Sequence, residues 1–243
     1  MKKYIITLSI ILLLTPAWST TMFKSDTLST TKGDIVLTFL GHGTLMLQFG
    51  KTVVHVDPVS EYSDYSALPK ADLILVTHAH SDHLDPEAIA LIRQDSTRIV
   101  AAPVCRTKLP EATLLANGDK IQIGEVAVEA VPAYNLIHMR ASKQPFHPRG
   151  EGNGYIIRFG GMSVYIAGDT ENTPEMKALK GIDVAFLPMN LPYTMTPEMV
   201  ADAARAFQPR ILYPYHYGDT DTGKLIDLLK GEKKIEVRVR DLH

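Results

Sequence analysis

From Asp34 onward the chain is cut by turn residues into two successive series of short β-rich runs, a pattern that leaves room for few helices. The first series predicts strands near 35–40, 44–49, 52–56, 73–77, 98–102, 120–123 and 126–131. The second predicts strands near 155–159, 163–167, 184–187, 211–213 and 235–239. Three helices announce themselves by a capping side chain followed by proline at the first helical position: Asp85-Pro86-Glu87, Thr173-Pro174-Glu175 and Thr196-Pro197-Glu198. A fourth is expected over 224–229, stopped by Gly231. Ile74-Leu75-Val76 and Val184 to Leu187 are apolar without alternation, as in central strands covered on both faces. Two mixed sheets with helices outside them satisfy that burial, whereas a doubly wound parallel sheet would need a more regular alternation of strand and helix. The expected architecture is an α/β sandwich of two sheets in one domain, residues 34–243.

The N-terminus reads differently. Lys2 and Lys3 precede an apolar run from Tyr4 to Leu14, and Ala17 and Ser19 supply small residues after it. That order is a secretory signal over residues 1–19, and the run is shorter than the roughly 20 residues of a bilayer span. The mature protein is therefore expected to be exported, periplasmic or secreted, without a stable membrane anchor. Residues 20–33, rich in Ser, Thr and Lys, are expected to form a flexible leader. Apolar residues make up 45% and charged residues 21% of the 243, which is a globular composition. Loss of Lys2 and Lys3 with the signal takes the net charge from −2 to −4, which argues against nucleic acid as a partner. Cys105 is the single cysteine, so neither a disulfide nor a thiolate metal cage can form within the chain.

The stretch Thr77-His78-Ala79-His80-Ser81-Asp82-His83-Leu84-Asp85 carries the chemistry. Residues two apart in an extended segment face the same way, so His78 and His80 can converge on one metal as they leave a strand. Asp82 and His83 follow where the chain bends toward a helix and can reach a second. Two more strands end in ligand-type residues, at Gly168-Asp169-Thr170 and at Tyr215-His216. Histidine and carboxylate ligands without thiolate suit zinc, with manganese or iron also accepted.

These residues, with Gly41-His42-Gly43-Thr44, the Asp57-Pro58 turn and the closing His216-Tyr217-Gly218, make the chain resemble the metallo-β-lactamase superfamily, in its broad branch of metal-dependent hydrolases. The resemblance runs from about Asp34 to Asp219. It implies a four-layer αββα sandwich of two mixed β-sheets flanked by helices, with two divalent metal ions at one edge. By resemblance His78 and His80 hold the first ion, Asp82, His83 and His216 hold the second, and Asp169 bridges them. Similar members carry a further first-metal histidine shortly after a Pro-Ala pair, where Pro132-Ala133-Tyr134-Asn135 has Asn135 instead. Asn135, His138 and His147 are the candidates to complete that site, and His147 is favoured because Gly150, Gly152 and Gly154 after it allow a close approach.

A pair of cations would generate a hydroxide near neutral pH and polarise the bond under attack. Asp82 and Asp169 are the expected catalytic carboxylates, and His42 and Asp57 are expected to stand behind the ligands and hold their imidazoles in one tautomer. Tyr134, Arg140, Arg149, Tyr193 and Tyr217 lie in loops beside the expected mouth; of these Arg149, Tyr134 and Tyr193 are the expected contacts to a small, anionic substrate. A phosphodiester is the first reading. A lactone or amide, including a β-lactam, is the second, and a non-catalytic metal-binding or sensor protein lies outside hydrolysis altogether.

Overall fold

The computed structural model describes residues 23–242, so the expected signal over 1–19 lies outside the described residues. Among the described residues fourteen strands form two seven-stranded sheets, each in unbroken chain order. The first holds β1 (Ser25–Thr30), β2 (Gly33–Gly41), β3 (Thr44–Phe49), β4 (Thr52–Val56), β5 (Leu73–Val76), β6 (Arg98–Ala101) and β7 (Thr113–Leu114). The second holds β8 (Lys120–Ile123), β9 (Val126–Ala133), β10 (Gly152–Phe159), β11 (Met162–Ile166), β12 (Val184–Pro188), β13 (Ile211–Tyr215) and β14 (Glu236–Val237). Both sheets have one plan. Their first four strands are an antiparallel meander and the remaining pairings are parallel.

Parallel pairing requires crossovers, and the helices supply most of them. α1 (Pro86–Ile92) joins β5 to β6, α2 (Pro174–Lys177) joins β11 to β12, α3 (Pro197–Phe207) joins β12 to β13, and α4 (Thr222–Leu229) joins β13 to β14. The expected proline starts are all present: Asp85, Thr173 and Thr196 accept hydrogen bonds from the backbone N–H of Glu87, Met176 and Met199. α4 begins two residues before the expected start because Asp221 caps it on the Gly223 N–H.

The main core lies between the sheets and continues onto the α3 side, joining Leu73 and Leu75 of β5 with Phe186 of β12 and Phe207 of α3. Alternate residues of β5, Ile74 and Val76, point the other way and pack with Leu84, Ile89 and Ile92 at α1. This explains the apolar run without alternation: both faces of the strand are covered, giving four layers, helices on sheet on sheet on helices.

One expectation is overturned at the N-terminal edge. Residues 25–30, read as flexible leader, are β1, paired along its full length with β2. Pairing satisfies the backbone of a segment with one buried apolar side chain, Leu28. Asp26 anchors it: Arg240 donates to its carboxylate at 2.7 and 3.0 Å, and the Tyr213 hydroxyl donates as well.

Candidate metal centre

The ligand-type residues collect where the parallel halves of the two sheets bring their strand ends together. β4 runs into Asp57, β5 into Thr77 to His83, β11 into Asp169, and β13 into His216. The β2–β3 turn adds His42, whose carbonyl accepts the His216 N–H at 3.0 Å. Three of these residues sit in the left-handed region, His42 at φ 50°, Asp57 at 45° and His216 at 46°, a conformation disfavoured for residues with a Cβ. Next to His42, Gly43 leaves the room that His83 uses. A Cβ there would lie 2.9 Å from His83 Cε1.

Two groups of side chains emerge, each with ligand atoms within 4.8 Å of one another. The first is His78, His80, His147 and Asp169; the second is His42, Asp82, His83 and His216. Asp169 faces both, with Oδ2 3.1 Å from His147 Nε2 and Oδ1 3.4 Å from His83 Nε2. Of the three candidates for the first group, the structure places His147 there. His138 lies outside both groups with Nδ1 2.7 Å from Glu171 Oε1, and Asn135 stands behind His147, its Oδ1 accepting from His147 Nδ1 at 2.7 Å. His42 was expected only behind the ligands; it is instead within the second group, 3.3 Å from Asp82 Oδ2 and with its ring 3.7 Å from that of His216. Its turn geometry, invisible in a Gly-His-Gly string, turns the ring inward.

Asp57 is fully buried behind His83. Its Oδ2 accepts from His83 Nδ1 at 2.8 Å and from the Thr77 hydroxyl at 2.6 Å, while Oδ1 accepts the Thr77 N–H at 2.7 Å. With Nδ1 committed, His83 has only Nε2 to offer the centre. Among the described residues that atom has no hydrogen-bond partner, and neither have Asp169 Oδ1 and His216 Nε2, although all three are buried. Buried polar atoms left unmet cost about 1–3 kcal/mol each, so an inward-facing set of them suits divalent cations.

The electrostatics agree. With protons as the only cations, burial would lower His83, but the Asp169 and Asp57 carboxylates outweigh it and push it up to about 10. His78 is held well below the usual imidazole range by burial and by the neighbouring His83. Burial would raise Asp169, yet His216, His83 and His147 hold it well below the carboxylate range. Burial would raise Asp82 as well, yet His216 and His42 hold it below the carboxylate range, so two carboxylates among six imidazoles are ionised, as cation ligands must be.

An open groove of about 430 Å³ leads to both groups. Tyr62, Arg140, Phe146, Asn190 and Tyr193 line it beside Asp82 and Asp169. Arg149 and Tyr134 do not, contrary to expectation. Glu175 takes both, accepting from Arg149 Nη2 at 2.6 Å and from the Tyr134 hydroxyl at 2.9 Å, and the guanidinium lies over the Tyr134 ring. Tyr217 is turned to the C-terminal segment, donating to the Arg240 carbonyl. Tyr62, stacked on His42 at 4.7 Å, is a groove wall that sequence reasoning missed. Glu171, buried behind Asn135, is a further residue that sequence reasoning missed, and its position directly after Gly168-Asp169-Thr170 was the available signal.

Comparison with known proteins gives the family. The profile of the beta-lactamase superfamily domain matches residues 36–216. A UPF0173 metal-dependent hydrolase of Thermococcus kodakarensis is 34% identical over 192 residues, which is 74% of this chain and 83% of the relative. The crystal structure of a candidate metal-dependent hydrolase from Parabacteroides distasonis superposes with a TM-score of 0.87 at 52% identity, covering 91% of this chain and all of that one. Igni18, a metallo hydrolase from Ignicoccus hospitalis, shares the fold at a TM-score of 0.70 and 23% identity, covering 86% of this chain and 95% of that one. The chain belongs to the beta-lactamase superfamily and stands among its metal-dependent hydrolases.

Proposed function

We propose that this protein hydrolyses a phosphodiester at a centre of two divalent cations, zinc in the first instance. His78, His80, His147 and Asp169 would hold one ion, and Asp82, His83 and His216 with His42 the other, Asp169 serving both. When bound, such ions generate a nucleophile from water near neutral pH and polarise the scissile bond. The observation that carries the phosphodiester reading is Arg140. Among the described residues it is the one Lys or Arg lining the groove, and no carboxylate pairs with it. Its guanidinium rests over the Phe146 ring at 5.0 Å and donates to the Phe146 carbonyl, which leaves further donors for an anion. Tyr62 and Tyr193 flank the groove and orient the substrate's apolar parts. Asp82 is the more exposed of the two carboxylates, at 36% of its side chain against 4% for Asp169, and would orient the attacking water as well as help hold the second ion.

The purified mature chain, loaded with zinc, should turn over bis-(p-nitrophenyl) phosphate faster than a lactone or nitrocefin. Arg140→Ala should raise KM by about 10-fold or more with a smaller change in kcat, the loss expected for a charge-assisted contact made before the chemical step. A lactone or nitrocefin as the preferred substrate would replace the phosphodiester reading. Tight metal uptake with no turnover on any of the three would support a metal-binding or sensor role. The N-terminal signal supports export, and N-terminal sequencing of the protein recovered from the periplasm or medium should begin at Thr20.

A further inference from the structure

Glu171 is fully buried, and among the described residues no Lys or Arg pairs with it. Backbone N–H groups surround it instead. Oε2 accepts from Leu136 and Ile137 at 2.7 and 2.8 Å, and Oε1 accepts from His138 at 2.7 Å and from Asn135 Nδ2 at 3.1 Å. Its two oxygens accept from four donors, so it is an anion that fastens one loop. The fastened loop is the one that holds Asn135.

The amide of Asn135 has no freedom to turn over. Its Nδ2 donates to Glu171 and, at 2.8 Å, to the Tyr193 carbonyl, two acceptors that would repel an oxygen. Oδ1 must then face His147, where it accepts from the backbone N–H at 2.8 Å and from Nδ1 at 2.7 Å. An acceptor there requires the proton of the neutral ring to sit on Nδ1, which leaves the Nε2 lone pair for the group containing His78, His80 and Asp169. The geometry points to a buried relay, Glu171 to Asn135 to His147, in which two positioning residues hold a loop histidine in the one tautomer and orientation that completes the first metal group. This inference rests on the reading that His78, His80, His147 and Asp169 hold a cation. Asp57 does the same for His83 in the second group, but directly and from a strand end.

The test is metal titration of the full chain after chelation, with cobalt or zinc in competition with a chromophoric chelator. Asn135→Ala should weaken one of the two binding steps by about 10- to 100-fold, the range for removing a ligand's hydrogen-bond partner, and alter the visible cobalt spectrum of that step alone. Asn135→Asp keeps an oxygen for His147 while setting a second carboxylate against Glu171. It should retain most of the affinity yet melt at a lower temperature, a split that a merely structural role would not give. Native affinity and a native cobalt spectrum in Asn135→Ala, with His147→Ala losing one ion, would overturn the relay alone. Two ions retained at native affinity by His147→Ala would instead overturn the assignment of His147 as a ligand. Should Asn135→Ala fail to fold, the nitrogen-edited histidine spectrum of the native zinc-loaded chain decides: a proton on His147 Nδ1 supports the relay and one on Nε2 overturns it.

Discussion

The two ligand groups share a carboxylate but are built differently. The second takes all its members from strand ends and tight turns, and His42 is tied by its own carbonyl to the His216 N–H. The first depends on His147, which belongs to the long irregular stretch between β9 and β10 and is held by the side chain and backbone N–H of Asn135 rather than by sheet hydrogen bonds. A group founded on strand ends inherits the rigidity of the sheet, whereas a group completed from a loop is only as well ordered as the contacts that fasten the loop. The second group should therefore be the tighter and less adjustable of the two.

The harshest way to break the contrast is to remove what the groups share. Asp169→Ala should abolish both binding steps together and reduce turnover by roughly 10³-fold, measured by metal analysis and steady-state kinetics. Uptake of one full equivalent by that variant would show that the groups are independent. Asp57→Asn should weaken only the step served by His83, by about 10- to 100-fold in competitive titration, because an amide cannot accept from both Thr77 and His83 as the carboxylate does. An equal loss at both steps would merge the groups into one. Gly43→Ala should displace the His83 ring and cost about 1–3 kcal/mol in chemical denaturation, with a smaller loss at the same step.

A buried histidine outside both groups provides the control, since its effect on metal uptake should be nil. His55 donates from Nε2 to the Pro69 carbonyl at 3.0 Å, and burial pushes it down to about 4. The unfolded chain takes up a proton that the folded one refuses, so this residue's contribution is intact above about pH 6.5 and is lost as pH falls toward 4. The loss approaches about 3 kcal/mol, and His55→Gln should flatten that part of the pH–stability curve in the zinc-loaded chain without changing metal uptake. An unchanged slope would assign the pH dependence to the ligands.

How far the sequence could be read follows from the same contrast. Strands such as β3, β5 and β12 and the proline-started helices were legible because their signals are local: apolar runs and a capping side chain beside a proline. The clustered histidines at 78–83 were legible for the same reason. β1 was not, because its stability comes from pairing with β2 and from Arg240 and Tyr213, which are far away in the chain. Nor could spacing tell that Arg149 would be captured by Glu175 while Arg140 faced the groove, since the two lie in the same irregular stretch and differ only in how it folds back. Glu171 carried only the faint signal of following Gly168-Asp169-Thr170. Only the backbone groups gathered around it reveal why a carboxylate sits there with no exposure at all.

Neither sheet owns a complete set of ligands. His78 and His80 come from the N-terminal sheet's connections while His147 and Asp169 come from those of the C-terminal sheet; His42, Asp82 and His83 likewise await His216 from across the seam. Cations bound here would act as a clasp between the two halves of the molecule, so their uptake would report on how well those halves have docked. Chelation should loosen the seam first, and amides that bridge it, such as Asn153 N–H to the Thr77 carbonyl, should be the earliest to exchange with solvent.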